Sequence, residues 1–161
     1  MTKLDELINR IIDRVNINLR EPSFDVGPYV RDLIDREKFL RFYAFYGLTS
    51  QNALRFNFRE CNIAGSYFLG KCSVNHSVVY KTDVRGDELK NKGDVFQSDG
   101  LRIRLHEDEC IMIKDSFLVK TLIHSHSHDP ENPETFLIQN AVSLHYANIH
   151  GSPVEGSFLG P

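Results

Sequence analysis

The sequence predicts a mainly β fold, a coiled parallel β-helix preceded by a helical segment. Three observations carry this. Ile63-Ala64 and Leu69-Gly70 set an aliphatic residue and a small one side by side, twice, six residues apart. That is the mark of a hexapeptide repeat, in which the aliphatic residue points into the core of a three-stranded coil and the small one turns the corner. Short β-rich pieces then follow: Val78, Val79 and Val84; Leu101, Ile103 and Leu105; Ile111 and Ile113; and Ile149, Val154 and Leu159 close to Gly151, Gly156 and Gly160. The third observation is a different pattern in the first 50 residues. An ordinary antiparallel β-domain is the alternative that the strand-like pieces allow.

The elements follow in order. Leu4, Leu7, Ile8, Ile11, Ile12 and Val15 recur at i, i+3, i+4, i+7, an amphipathic helix with one buried stripe. Pro22 to Pro28 breaks it. Pro28 opens a second helix with Val30, Leu33, Ile34 and Leu40 inward. Phe39, Phe42, Tyr43, Phe45 and Tyr46 form an aromatic cluster before Gly47. Residues 1–50 are therefore expected to be a helical cap over the open end of the coil, where strand edges and core need covering; a partner-docking surface is the other reading. Residues 54–161 are expected to form the β-helix. Phe158-Leu159-Gly160-Pro161 reads as the start of another coil, so a fragment or an early-terminated chain is expected.

The chemistry sits in the histidines. His124 ends an apolar Leu-Val-Lys-Thr-Leu-Ile run, and His145 and His150 follow in Ser143-Leu-His-Tyr-Ala-Asn-Ile-His-Gly151. Neutral imidazole is the commonest metal ligand, and three histidines with an open water position suit a hydrolytic or hydrating centre. His145 and His150 are five apart, so neither a flat strand nor a helix presents them on one face. The chain must turn between them, or each must reach a different copy of the site. His126 and His128 lie in a polar Ser-His-Ser-His-Asp stretch and read as solvent-exposed, with proton relay as the alternative.

Val84-Arg-Gly-Asp87, Leu122-Ile-His124, Asp129-Pro-Glu-Asn-Pro133 and His145-x4-His150-Gly151, in that order, resemble the gamma-class carbonic anhydrases. These belong to the trimeric left-handed β-helix superfamily that also holds the hexapeptide acyltransferases. The resemblance runs from about residue 60 to the end. It implies a homotrimer with a divalent metal, zinc first and iron or cobalt next, held by His124, His145 and His150 with one ligand from a neighbouring subunit. It implies that Arg85 and Asp87 pair across the subunit contact and that Glu88 lies near the metal-bound water. The implied reaction is hydration of carbon dioxide. The alternatives are an acyltransferase with one histidine as base and a non-catalytic trimeric scaffold with a relic metal site. Departures exist. Lys114 stands where the family has a solvent-orienting glutamine, Leu89 to Gly100 is a polar insertion, and His106 and Gln139 occupy corners that are usually glycine.

Composition bounds the rest. A chain of 161 residues can bury one core. Net charge is −3, with 19 Lys and Arg against 22 Asp and Glu, so no general attraction to nucleic acid or anionic membrane follows. The N-terminus is charged and lacks an apolar secretion core, and no segment approaches the ~20 apolar residues of a membrane span. Three cysteines, Cys61, Cys72 and Cys110, show neither metal spacing nor a disulfide set. That suits a reducing, cytoplasmic compartment. A small-molecule substrate is the expected partner.

Overall fold

The computed structural model describes residues 2–35, 37, 45–46, 56–126, 133 and 135–160. The strands are β1 Phe45–Tyr46, β2 Phe56–Arg59, β3 Asn62–Ala64, β4 Tyr67–Gly70, β5 Cys72–Asn75, β6 Val78–Tyr80, β7 Asp83–Glu88, β8 Val95–Ser98, β9 Leu101–Arg104, β10 Cys110–Lys114, β11 Phe117–Val119, β12 Leu122–His126, β13 Thr135–Gln139, β14 Val142–Ser143, β15 Asn148–His150, β16 Val154–Glu155 and β17 Phe158–Leu159. They build a left-handed parallel β-helix with three faces: β2-β5-β10-β13-β16, β3-β6-β11-β14-β17 and β1-β4-β7-β12-β15. All pairings within the faces are parallel; the antiparallel pair β8–β9 is a hairpin standing outside the coils.

Register shows how the sequence winds. Phe56 pairs with Cys72, Cys72 with Ile111, and Ile111 with Phe136. On the second face Asn62 pairs with Val78, Val78 with Phe117, and Phe117 with Val142. Three columns of inward side chains result: Phe58, Val74, Ile113, Ile138 and Val154; Ile63, Val79, Leu118, Ser143 and Leu159; and Phe68, Val84, Ile123 and Ile149. The step between inward residues is therefore mostly five. Phe68, not Leu69, is the successor of Ile63, so the six-residue spacing of Ile63 and Leu69 is not the repeat that builds the core.

The corners explain the shorter step. Glu60, His76, Asp115, Asn140 and Gly156 turn the first corner, and Gly65, Lys81, Lys120 and Tyr146 the second, each in the left-handed region. Gln139 is the last residue of β13, and Asn140 turns the corner; His106 lies after the hairpin, outside the coils. Asn and Asp tolerate this conformation best after glycine. The residue behind each corner carries a hydroxyl ladder. The Thr82 N–H donates to Ser66 Oγ at 3.2 Å, the Thr121 N–H to Thr82 Oγ1 at 3.3 Å, and the Ser116 N–H to Ser77 Oγ at 3.1 Å. Ser143, alone among the aliphatic columns, is satisfied by Thr121 Oγ1 at 2.9 Å.

Helix α1, Lys3–Asn18, starts at a Thr2–Asp5 capping box and buries Leu7, Ile8, Ile11, Ile12 and Val15, as the spacing predicts. It does not cap an open end. It lies along the outer side of the second face, against Val78, Tyr80, Phe117, Val119, Val142 and Leu144. The reason is in the strands. Val78-Val-Tyr80 and Phe117-Leu-Val119 are buried at every position, so both sides of this face are apolar and the outer one needs a cover. Polar contacts fix the direction. Arg10 Nε donates to Asp115 Oδ1 at 2.9 Å, Arg14 Nε to Asn140 Oδ1 at 2.9 Å, and Asn18 closes on Gly156, where an added Cβ would lie 2.7 Å from Asn18 Cβ. The helix thus climbs the first corner coil by coil.

The second helix, α2, is only Gly27–Val30. Arg31 is extended and Asp32 has φ 64, so the chain leaves helical geometry long before Leu40. Val30 and Ile34 are buried as expected. Strand β1 already belongs to the third face, ahead of residue 54, within the span expected to be helical cap. The aromatic cluster 39–46 and the loop 129–132 lie outside the described residues or, at 45–46, outside the described side chains.

Candidate functional site on the third face

The third face differs from the second. Along β7 burial alternates, with Val84 and Gly86 inward and Asp83, Arg85 and Asp87 outward. Its outer side carries the polar row. Register aligns Leu69, Arg85, His124 and His150 across four successive coils. Two of the three expected ligands are thereby neighbours: the rings of His124 and His150 lie 4.8 Å apart between centroids, which is one coil rise.

Around His124 the carboxylates gather. Its Nε2 is buried and lies 3.6 Å from Glu88 Oε1. A shift in register between His124 and His126 places Glu88 opposite His126, which brings the carboxylate back over the ring. Arg85 Nε lies 3.8 Å from Asp87 Oδ1 within one chain, with Asp87 largely and Arg85 half buried. Glycine makes the close packing here possible. A Cβ on Gly70, at φ 78, would collide with the Gly86 carbonyl.

His145 stands apart from this row. Leu118 pairs with Ser143, an offset of 25 residues, but Leu122 pairs with Asn148, an offset of 26. One residue is inserted at the second corner of the fourth coil, where Tyr146 turns at φ 65. That insertion resolves the five-residue spacing: His145 lies in the turn before Tyr146, and His150 ends β15 beyond it. Among the described residues no set of three or more His, Cys, Asp or Glu converges on one point. One chain alone does not fit a three-histidine metal centre. Lys114 sits on β10, in the first face, away from the His124 row. The His126 side chain and His128 lie outside the described residues. Sequence reasoning missed the Arg10–Asp115–Arg14 clamp and the groove at the second corner. The stacking of corner residues that reveals both is visible only once the coil offsets are known.

Cys61 and Cys72 take no part. Burial pushes the Cys61 thiol up to about 11 and Cys72 further up, so neither is a nucleophile at neutral pH.

Residues 101–161 match the family described as "Hexapeptide repeat including loop". The crystal structure of a protein named "putative acetyltransferase", from Desulfovibrio desulfuricans G20, is similar with a TM-score of 0.83 and 57% identity, over 99% of this chain and 34% of that one. The repeat match and this likeness together support the hexapeptide-repeat superfamily. This hexapeptide-repeat chain spans about a third of the length of that relative. No curated protein matches it. The likeness does not single out the gamma-class carbonic anhydrases. Among the described residues no helix of the hexapeptide-repeat chain is long and apolar enough to cross a membrane.

Proposed function

We propose that the chain is the β-helix of an acyltransferase acting on a small hydroxyl or amine acceptor, with His124 as the general base and Glu88 as the residue that orients it. The observation that carries this is the His124–Glu88 approach of 3.6 Å on the outward row of the third face. At 3.6 Å the carboxylate is a charged neighbour of this nitrogen and not yet a hydrogen-bond partner. On closing to hydrogen-bond distance it would fix the tautomer and leave the other nitrogen to take a proton. The step balances simply. The acceptor oxygen or nitrogen bonds to the acyl carbonyl carbon, His124 takes the acceptor proton, the bond to the donor's leaving atom breaks, and the proton passes to the departing group. Arg85, next to His124 in register, would bind negative charge on the reacting carbonyl. His150 lines the row one coil further. The likeness to the acetyltransferase-named structure supports the same branch.

A second reading rests on the 4.8 Å approach of His124 and His150. Two imidazoles side by side become a three-donor site when a second copy supplies His145. A homotrimer would do this, and zinc would be the first candidate ion.

The test is free-thiol release from an acetyl thioester in the presence of small alcohols and amines. Wild type should transfer, and His124→Asn should be slower by about 10²–10⁴-fold. Equal rates in the two proteins would remove His124 from the role of base.

A further inference from the structure

We infer that the second corner carries a binding site for a small organic phosphate, with the phosphate between Lys81 and Lys120 and the apolar part of the ligand against Tyr146 and Leu122. A groove of about 350 Å³ opens there, lined by these four residues, Asp83 and Asn148 among others. That is within the size range of small-ligand sites.

The two corners of the β-helix are built alike and used differently. At the first corner the charged and polar turn residues are consumed by the fold: Glu60 pairs with His76, Asp115 holds Arg10 and Arg14, and Asn140 accepts from Arg14. Among the described residues no helix lies alongside the second corner. Among the described residues neither Lys81 nor Lys120 has a carboxylate within 4.0 Å. The Lys81 stem lies over Gly65, whose added Cβ would sit 3.4 Å from Lys81 Cγ, and its ammonium stands 5.4 Å from the centre of the Tyr80 ring. Lys120 follows Lys81 directly in the corner column, about 5 Å away along the coil axis at the backbone. Both adopt left-handed φ values, 47 and 46, at a turn that Gly65 fills in the first coil. Two lysines one coil apart at left-handed positions repel each other in the fold alone, and one dianion would neutralise both.

The groove also has an apolar side. Tyr146 is 81% exposed and Leu122 38% exposed, side by side at the mouth. Asp83, the one carboxylate named in the lining, leaves the charge there at two positive against one negative, and it offers an acceptor for a ligand hydroxyl. Leu122 and Asn148 precede His124 and His150 by two residues on the same strands, so the site adjoins the histidine row without containing it.

The experiment is calorimetric titration of the full chain with phenyl phosphate, which needs no turnover and so fails independently of the acyltransfer reading. Saturable binding is expected, about tenfold or more weaker in the Lys81→Gln/Lys120→Gln variant, weakened by salt, and severalfold weaker in Tyr146→Ala. Circular dichroism establishes that the variants fold. In wild type, phenyl phosphate should also protect Lys81 and Lys120 from an amine-acylating reagent, read by mass spectrometry. Absence of saturable binding up to the order of 10 mM, unchanged affinity in the folded lysine variant, unprotected lysines, or benzoate binding as tightly as phenyl phosphate would each overturn the proposal.

Discussion

At the scale of single residues, Glu88 and Cys61 give the sharpest expectations. Glu88→Gln keeps the shape of the side chain and removes its charge. If Glu88 orients His124, acyl transfer should fall by about tenfold to a hundredfold with the acceptor KM little changed. A merely structural Glu88 would leave the rate alone and lower thermal stability instead. Cys61 bears on pH. Its thiol is held by burial at about 11 in the folded chain against 9.0 for the free group. The folded state therefore keeps a proton that the unfolded state loses. Stability from this group is whole below pH 9 and declines as pH rises towards 11. Urea unfolding at stepped pH should show that decline, and Cys61→Ser should flatten part of it. The residue scale is also where sequence reading served well and then stopped. His124, His145, His150, Arg85, Asp87 and Glu88 were all legible as candidates from residue type and order. Their partition was not, because it depends on one inserted residue before Tyr146 that no spacing rule announces.

At the scale of elements, the three faces share one backbone pattern and differ in what their outer sides do. The second face is apolar throughout and is covered by α1; the third alternates and keeps a polar row outward. The amphipathic stripe of α1 was readable from its spacing. Its docking place was not, since an apolar stripe says that something is covered and not which surface. The short runs Val78-Val-Tyr80 and Phe117-Leu-Val119 carried that information, because a strand without alternation is buried on both sides. The hexapeptide-repeat family is legible, but the exact core step is not: five-residue steps with left-handed corners at Glu60, His76, Lys81 and Lys120 lack the glycines that would mark each turn. Two substitutions test this layer. Asp115→Asn removes the charge that Arg10 and Arg14 share and should cost about 1–2 kcal/mol, discounted for the half-exposed arginines. Ile123→Ala, in the third column, should cost about 2–5 kcal/mol. Thermal melts followed by circular dichroism would check both, and a larger loss for Asp115→Asn than for Ile123→Ala would mean that helix docking, not the stacked core, dominates stability.

At the scale of the whole molecule, the third face of the β-helix turns a polar side outward among the described residues, with Arg85, His124 and His150 in one register row. The insertion that carries the hairpin β8–β9 leaves from the end of that face, after Glu88. Multi-angle light scattering should give a mass of three chains if His145 of one copy meets the row of the next, and replacing His145 by Ala should then lower metal retention; a stable monomer would confine any site to Arg85, Glu88, His124 and His150. The claim on which the functional reading turns is that His124 works as a base rather than as a metal ligand. The direct measurement is acetyl transfer by chelator-treated wild-type protein, with metal content followed by elemental analysis and thiol release from an acetyl thioester as the readout. A base mechanism predicts an undiminished rate in metal-free protein. Loss of transfer on chelation and its return with added zinc would contradict the account.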